Sequence, residues 1–389
     1  MEEAVIVATA RSAIGRANKG SLIDVRADEL LAEMIKALLA KVPALDPSEI
    51  NDVIVGNVAQ SGETGFNIGR IAGILAGLPL SVPGHAVQRF CASSLQGISA
   101  AANSIKVGEG DIYVCGGVEK STVPKDSNPM AGLGGFNKDL FGGTEGLPNI
   151  YIPMGMTAEN VAERYKVNRQ DQDEFGKLSQ DRAVAAQENG FFEREIIPFT
   201  KADGTVVNKD DCPRAGVTLE KMAQLKASFR QEGGTVTAGN SCPLNDGAAA
   251  VLLMSKTKAE QLGLTPMARI IATAYSGNEP EYMGVAPIDA IPKVLKKTGM
   301  SISDVDVVEL NEAFAAQVLP VCRETGIDIA TQLNPHGGAI ALGHPFGMTG
   351  ARIMTTLIND LQTLDKSIGI ETMCAAGGMA MATMIERLN

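Results

Sequence analysis

Short apolar runs alternate with amphipathic runs through the first 119 residues of the chain, and the same alternation returns over residues 269–389. Residues 4–10 (AVIVATA) form a continuous apolar run that is typical of a buried strand. Residues 27–39 instead carry their apolar side chains at helical spacing. Strands that alternate with helices in this way predict an α/β fold with a mostly parallel sheet and crossover helices.

The same short sequence pattern, at the end of a predicted strand, occurs once in each of these two regions. Residues 112–117 (IYVCGG) and 370–378 (IETMCAAGG) each combine an apolar run, a cysteine and a glycine pair. We therefore predict two similar halves packed face to face, over residues 1–119 and 269–389. Between these halves, we predict that residues 120–242 form a loop domain over the functional site. Residues from about 243 to 268 are predicted to complete the first half. Within the loop domain, the strongly polar residues 170–189 predict a surface helix.

Charge and cysteine spacing exclude several classes of protein. The formal net charge is −11 with no basic stripe to offset it, which argues against general nucleic-acid binding. The six cysteines occur singly, so neither a structural zinc site nor a disulfide framework is expected, and a reducing, cytoplasmic location fits. No secretory signal and no apolar run of membrane-spanning length is visible, so no membrane partner is predicted.

Cys91 stands where a predicted strand over residues 86–90 meets a predicted helix. Free backbone N–H groups and the helix dipole at such a junction favour a thiolate, which is a better nucleophile than a thiol. On position alone, a small buried hydrophobic residue is the better explanation, because free cysteine is among the most buried residue types.

Only three histidines are present, and His336 and His344 both lie in the glycine-rich residues 334–352. His344 is fixed between Gly343 and a proline, which suits an imidazole presented to a ligand. A hydrogen-bonded core histidine is the alternative. The chain has neither the Gly-Lys-Ser/Thr of a phosphate-binding loop nor the GxSxG of a serine hydrolase at these positions.

Six motifs, in order along the whole chain, resemble those of the thiolase family. They are residues 89–96 (RFCASSLQ), 154–160 (MGMTAEN), 237–248 (TAGNSCPLNDGA), 311–315 (NEAFA), 337–345 (GGAIALGHP) and 374–378 (CAAGG). The resemblance implies a thiolase-like five-layer αβαβα fold built from two duplicated halves and a loop domain. It also implies reversible thiolytic cleavage of 3-ketoacyl-CoA, including acetoacetyl-CoA, to acetyl-CoA and acyl-CoA, or the reverse Claisen condensation.

The same resemblance assigns roles to individual residues. Cys91 matches the nucleophile that becomes acylated in a ping-pong mechanism, and His344 matches the base that activates it. Cys374 matches the second cysteine, which moves a proton at the α-carbon of acetyl-CoA. Asn311 matches the asparagine that holds a water beside the histidine. For the oxygens that acquire charge, we expect donors from the backbone N–H groups of Cys91 and Ala376, and from His344 with that water.

Substrate-binding residues follow from the resemblance as well. Residues expected to contact CoA or its pantetheine arm are Met154, Arg214, Phe229, Ser241, Cys242, Ala313 and Phe314. Simple core packing is the alternative for the apolar ones, and a surface salt bridge is the alternative for Arg214. Cys242 stands where the family commonly has a serine, which puts one polar contact in doubt. Pro153 replaces a histidine common in acetoacetyl-CoA enzymes, which favours a broader range of chain lengths.

Coenzyme A enters as a substrate, and we expect neither a metal nor a redox cofactor. The resemblance implies a homodimer or homotetramer. Two other functions are open: a condensing enzyme that uses carrier-protein substrates, and a non-catalytic acyl-CoA or lipid carrier on the same scaffold. The second cysteine, Cys374, argues against the first of these. The presence of Cys91, His344 and Cys374 together argues against the second.

Overall fold

The computed structural model describes residues 2–122 and 135–389. The first half of the chain contains β1 (Ala4–Arg11), β2 (Gly15–Arg16), α1 (Ala27–Ala40), β3 (Asp52–Gly56), α2 (Ile68–Leu75), β4 (Gly84–Val87), α3 (Ser93–Val107) and β5 (Ile112–Lys120). The middle region contains α4 (Met154–Arg164), α5 (Arg169–Glu188), β6 (Phe199–Thr200), β7 (Val206–Val207) and α6 (Leu219–Ala223), and then β8 (Asn245–Ser255) and α7 (Lys256–Gln261). The last part contains β9 (Ala268–Gly277), α8 (Pro287–Thr298), β10 (Val307–Leu310), α9 (Ala315–Thr325), α10 (Ala339–Leu342), α11 (Thr349–Thr363), β11 (Ile368–Ala375) and β12 (Met379–Arg387).

The two halves have the same strand order. The first runs β4-β3-β5-β8-β1 and the second runs β10-β11-β12-β9. In the second half, Leu333 forms a parallel bridge with Val308 of β10, at the place that β4 occupies in the first. The halves meet where β1 pairs with β9 over two residue pairs. The duplication predicted from the repeated strand ending is therefore confirmed.

The prediction of a mostly parallel sheet is wrong. In the first half, β3 is parallel to β4 and β5, whereas β8 runs antiparallel to both β5 and β1. In the second half, β12 is likewise antiparallel to β11 and β9. The physical reason is clearest for β12, which follows β11 after residues 376–378, because a connection this short can only join antiparallel strands.

Neighbouring residues on β5 show that helices cover both faces of the first half. A Cβ added at Gly116 would contact Leu31 of α1, whereas one added at Gly117 would contact Gly347, just before α11. Successive side chains of a strand point to opposite faces, so α1 and α11 lie on opposite sides of this sheet. Helix α11 also packs against α3 and against β10 and β11 of the second half, so these two helices lie between the halves.

The second half is covered on its other face by α8. On β12, Ala382 and Met384 belong to the apolar cluster around α8, whereas Met381 and Ile385 belong to the cluster that contains α11. Helix α2 packs on α1, and α9 packs on α8. The layers are helix, sheet, helix, sheet, helix, so the predicted five-layer αβαβα architecture is confirmed.

Helix α5 has the exposed polar face that its sequence predicts, but its opposite face is buried and also carries polar side chains. The polar side chains on the buried face bind other buried groups. Ser179 donates a hydrogen bond of 2.6 Å to the carboxylate of Glu312, and Gln180 accepts one of 2.9 Å from the backbone N–H of Arg214. Polarity in this helix therefore reflects paired polar groups inside the molecule as well as exposure to solvent.

Candidate active site

Cys91 lies in a tight turn between β4 and α3. The strand ends at Val87, earlier than predicted, and α3 begins at Ser93. Phe90 adopts a left-handed backbone conformation with φ of +47°, which is uncommon for a bulky residue. Ser93 secures the turn: its Oγ accepts from the N–H of Arg89 at 2.9 Å and donates to the carbonyl of Phe90 at 2.6 Å. The turn therefore holds Cys91 just ahead of the N-terminus of α3.

The Cys91 sulfur lies near the backbone N–H groups of Cys91 and Ala376, which were predicted as donors to the substrate oxygen. Burial, with a smaller contribution from nearby Cys374, raises the pKa of Cys91, while hydrogen bonds from the N–H groups of Cys91 and Ala376 act in the opposite direction. Burial outweighs these donors, so the expectation of a resting thiolate at the helix N-terminus is wrong. The group is a thiol that needs a base to become a nucleophile.

The turn that carries His344 is fixed by two polar side chains. The backbone N–H of His344 donates to Oδ1 of Asn245 at 2.9 Å, and Nδ1 of the ring lies 2.7 Å from Oγ1 of Thr349. Gly343 has a φ of +113°, and a Cβ there would lie 2.6 Å from the Asn245 amide, so the turn requires glycine. His344 itself is buried.

The Thr349 hydroxyl determines the tautomer of His344. Its single hydrogen donates to the carbonyl of Pro345 at 2.8 Å, so its oxygen must accept from Nδ1–H of the ring. Nε2 then carries the lone pair and accepts from Nδ2 of Asn311 at 3.3 Å. Burial, with the charge of Arg352, lowers the pKa of His344 to about 3. The ring is therefore neutral, with Nε2 available as a base.

Cys374 lies near the end of β11, beside the turn that follows this strand. Burial, and then Cys242, raises the pKa of Cys374 to about 12. Cys91 in turn is among the groups that raise the pKa of Cys242, after burial. The three sulfurs therefore share one region.

Contacts between helices and strand ends bring the imidazole to this region. The N–H of Ala351 on α11 donates to Oγ of Ser94 on α3 at 2.9 Å, close to the first residue of each helix. Cys91 and His344 therefore precede two helices that touch near their N-termini. Asn311 follows β10, and its N–H donates to the carbonyl of Thr372 on β11 at 3.0 Å, two residues before Cys374.

A cleft of about 650 Å³ leads from the surface to Ser241 and Cys242. Among the described residues that line it, none is acidic and four are basic: Arg16, Lys19, Arg214 and Lys221. Arg214 is the only basic residue of this cleft that the sequence predicted. Arg16 ends the short strand β2 and Lys19 follows it, so only the tertiary structure brings these two residues close to Arg214 and Lys221. A basic cleft suits a ligand with several phosphate charges.

The predicted apolar binding residues lie near the sulfurs. Met154, Ala313, Phe314 and Cys242 pack in one cluster with Cys374. The Phe229 ring lies edge-on to that of Phe314, at 6.1 Å between centroids, and Phe229 is 43% exposed. The hydroxyl of Ser241 donates its hydrogen to the carbonyl of Thr237 at 2.6 Å, so towards a ligand it can only accept a hydrogen bond.

Asn245 and Thr349 are site residues that the sequence reasoning did not single out. Both lie within glycine-rich segments, residues 237–248 and 334–352, that were singled out for other residues. A polar side chain inside one of these segments was the feature from which Asn245 and Thr349 could have been predicted.

The family models for the N-terminal and C-terminal domains of thiolase match residues 4–257 and 264–387. The chain belongs to the thiolase family. The finer domain boundaries at residues 119 and 242 stay predictions.

Known thiolases match this chain along its whole length. It is 42% identical over 395 residues to the 3-ketoacyl-CoA thiolase of Saccharophagus degradans, with 99% of this chain and 98% of the relative covered. It is 43% identical over 403 residues to a β-ketoadipyl-CoA thiolase of Acinetobacter baylyi, with both chains fully covered.

Solved thiolase structures share the fold. The acetyl-CoA acetyltransferase of Bacillus anthracis superposes with a TM-score of 0.90 at 37% identity, covering 100% of this chain and 99% of the other. The dimeric peroxisomal thiolase of Saccharomyces cerevisiae gives a TM-score of 0.92 at 41% identity, covering 99% and 97%. The thiolase fold expected from the motifs is therefore confirmed.

Over residues 2–122 and 135–389, no three His, Cys, Asp or Glu side chains are grouped so that they could hold a metal ion. No helix in those ranges is long and apolar enough to cross a bilayer. That the reaction needs no metal or redox cofactor stays a prediction.

Proposed function

We propose that this thiolase is a CoA-dependent acyltransferase that cleaves 3-ketoacyl-CoA, including acetoacetyl-CoA, to acetyl-CoA and acyl-CoA, and catalyses the reverse Claisen condensation. The proposal is supported above all by the surroundings of the Cys91 sulfur. The backbone N–H groups of Cys91 and Ala376 lie close enough to it to lower its pKa, and the Cys374 thiol is among its neighbours. A nucleophile with paired donors and a second acid beside it matches the needs of carbon–carbon cleavage.

In the first half-reaction, the Cys91 sulfur attacks the 3-keto carbon while its proton passes to Nε2 of His344. The N–H groups of Cys91 and Ala376 stabilise the negative charge on the former keto oxygen. The bond between C2 and C3 then breaks, which leaves an acyl group on Cys91 and the enolate of acetyl-CoA. Cys374 donates its proton to the enolate carbon, and acetyl-CoA departs. His344 and a water on Asn311 stabilise the enolate oxygen.

In the second half-reaction, the CoA thiol gives its proton to the Cys374 thiolate and attacks the acyl group on Cys91. The Cys91 thiolate leaves and takes the proton back from His344, so every group returns to its starting state. The neutral resting forms of Cys91 and His344 support this cycle, because charge then develops only as the substrate reacts.

The cleft supports CoA as the carrier of the acyl group. Its basic residues Arg16, Lys19, Arg214 and Lys221 suit the phosphates of CoA, and its inner end at Cys242 adjoins the apolar cluster of Cys374. The relatives are named for 3-ketoacyl-CoA and β-ketoadipyl-CoA, which differ in polarity at the far end of the chain. Pro153, before Met154, favours a range of chain lengths rather than acetoacetyl-CoA alone.

A homodimer or homotetramer in the cytoplasm completes the proposal. The yeast relative is described as dimeric. Large apolar side chains near the edge strand β4 are exposed, with Phe66 at 97% and Leu80 at 75%, and surfaces of this kind commonly bind another protein chain. All six cysteines carry free thiols, which supports a reducing compartment.

The test is incubation with acetoacetyl-CoA, followed by mass spectrometry of the intact protein. We expect an acetyl adduct on Cys91 that disappears when CoA is added, and no adduct in Cys91→Ser. Thiolysis rates on 3-ketoacyl-CoA substrates from short to long chains then give the preferred length. Absence of any adduct on Cys91 in the wild type would contradict the proposal. Turnover of malonyl thioesters with release of CO₂ would indicate a condensing enzyme instead.

A further inference from the structure

Glu119, near the end of β5, is a buried carboxylate that binds two separate segments of the chain. Its Oε1 accepts from the N–H of Ala59 at 2.9 Å. Its Oε2 accepts from the N–H groups of Val58 at 3.0 Å and Gly347 at 2.9 Å. Its side chain has no Lys, Arg or His partner in the part of the chain that the structure describes. Burial raises the pKa of Glu119, and the N–H groups of Ala59, Gly347 and Val58 act in the opposite direction by stabilising the carboxylate.

One of the two segments adjoins the strand that leads to Cys91. Residues 57–59 follow β3, the parallel neighbour of β4. The N–H of Asn57 donates to the carbonyl of Val87 at 3.2 Å, four residues before Cys91. The Asn57 amide also donates to the carbonyl of Val118 at 2.9 Å, next to Glu119. Glu119 is thus bonded to the part of the first half that supports the Cys91 turn.

The other segment is the turn that carries His344. Gly347 lies three residues after His344 and two before Thr349, which fixes the imidazole tautomer. A Cβ on Gly347 would lie 2.6 Å from the carbonyl oxygens of Gly56 and Val118. The backbone of this turn therefore packs directly against the first half, where there is no room for a side chain at residue 347. The Glu119 carboxylate is the polar side chain that meets its backbone there.

We propose that Glu119 is a positioning residue that fixes the His344 turn relative to the Cys91 turn. One carboxylate bonded to both segments sets the place from which Nε2 of His344 receives the Cys91 proton. This role rests on the proposed function, because it matters only if His344 is the base for Cys91. Small displacements between reacting groups have large effects on rate, so a side chain outside the substrate cleft can control the chemical step.

Glu119→Gln is a suitable variant, because it keeps the size of the side chain. If the new NH₂ group replaces Oε2, it faces the N–H groups of Val58 and Gly347 and releases the His344 turn. If it replaces Oε1, it faces the N–H of Ala59 and only weakens the hold on residues 57–59. Loss of the negative charge would by itself favour the Cys91 thiolate, because Glu119 is one of the groups that raise the pKa of Cys91. A slower reaction of Cys91 in this variant would therefore reflect geometry rather than charge.

The experiment is a double-mutant cycle on the alkylation rate of Cys91 by iodoacetamide, in the wild type, Glu119→Gln, His344→Ala and the double variant. We expect Glu119→Gln to slow alkylation about tenfold when His344 is present and less than about twofold when it is absent. For thiolysis of acetoacetyl-CoA, we expect a lower kcat with KM unchanged, because Glu119 does not line the cleft. Equal slowing in both backgrounds would overturn the positioning role.

Glu159→Gln is the matched control. Glu159 is also 2% exposed and also accepts backbone N–H groups, from Thr235 at 2.9 Å and Val236 at 3.0 Å, but it lies on α4 in the loop domain. We expect no coupling to His344. Coupling as strong as that of Glu119 would overturn the proposal. If Glu119→Gln does not fold, Glu119→Asp, which keeps the charge but shortens the reach, is measured in the same cycle.

Failure of this inference and failure of the proposed function are distinguishable. Alkylation needs only Cys91 and its base, so the cycle can be measured without any CoA substrate. Wild-type turnover of acetoacetyl-CoA together with an additive cycle would overturn the role of Glu119 alone. Coupling in the cycle without turnover of any 3-ketoacyl-CoA would instead overturn the proposed function.

Discussion

The hydrogen bond between Thr349 and His344 fixes which ring nitrogen can act as a base. Thr349→Val keeps the shape of the side chain but leaves Nδ1–H without its acceptor. The ring can then move its hydrogen to Nε2, where it blocks proton transfer from Cys91. We expect kcat for thiolysis to fall by about 100-fold, in line with the usual contribution of a general base. Steady-state kinetics measures this.

Thr355→Val is the control for that prediction. Thr355 is buried on the same helix, but its hydroxyl donates only to the carbonyl of Ala351 at 2.8 Å. We expect kcat within about twofold of the wild type, because no catalytic group contacts this hydroxyl. Similar losses in both variants would mean that the effect comes from disturbing α11 rather than from the tautomer.

The raised pKa of Cys91 makes a prediction about its reactivity. Because burial keeps this group as a thiol, the alkylation rate of His344→Ala, which lacks the base for the Cys91 proton, should keep rising between about pH 6 and pH 9. A preformed thiolate would instead give a rate that is already constant at about pH 7. Iodoacetamide alkylation followed by peptide mass spectrometry measures the rate at Cys91 separately from the five other cysteines.

At the scale of elements, the approach of α3 and α11 depends on Gly350. A Cβ there would lie 2.4 Å from the backbone nitrogen of Leu95 on α3, so Gly350→Ala must separate the two helices. We expect a loss of about 2–3 kcal/mol in the free energy of unfolding, the usual cost of overpacking, measured by urea denaturation.

Gly73→Ala tests the same substitution without the close contact. A Cβ at Gly73, within α2, would meet only side-chain carbons of Leu78 and Val53 at 3.5 and 3.6 Å, which is ordinary packing distance. Alanine is the better helix former by about 1 kcal/mol, so this variant should be slightly more stable than the wild type. Equal losses in both variants would contradict the account of the helix contact.

At the scale of the whole molecule, burial of neutral His344 makes stability depend on pH. Its pKa is about 3 in the folded protein, below the ordinary value of 6.5, so below about pH 6.5 only the unfolded chain takes up this proton. The stability that the neutral ring contributes is therefore complete above pH 6.5 and is lost as the pH falls towards 3. The loss is about 1.4 kcal/mol at pH 5.5.

His344→Asn removes this titration. From about pH 7.5 to pH 5.5, its free energy of unfolding should gain about 1.4 kcal/mol relative to that of the wild type, as measured by urea denaturation at both pH values. His85 gives the control, because its hydrogen bond with Asp52 raises its pKa, so stability from this contact is lost as pH rises. A gain of equal size in His85→Asn would contradict the assignment to His344.

The amino-acid sequence was enough to predict the family and the duplication of the chain, and both are confirmed, while the roles of the individual site residues stay predictions. The motifs around Cys91, Asn311, His344 and Cys374 are local, and so is the repeated strand ending after β5 and β11, so both are legible along the chain. Strand direction, the buried face of α5 and the basic cleft depend on contacts between distant segments and became visible only in the folded molecule. The tertiary structure also decided the ionisation of Cys91, where burial outweighs the helix N-terminus that the sequence reveals.

The physical reason is distance along the chain. His344 is held by Asn245, 99 residues away, and Glu119 binds Gly347 across 228 residues. Hydropathy patterns report the neighbours of a residue along a helix or strand, whereas a pKa, a tautomer or a cleft depends on which distant segments exclude water from it.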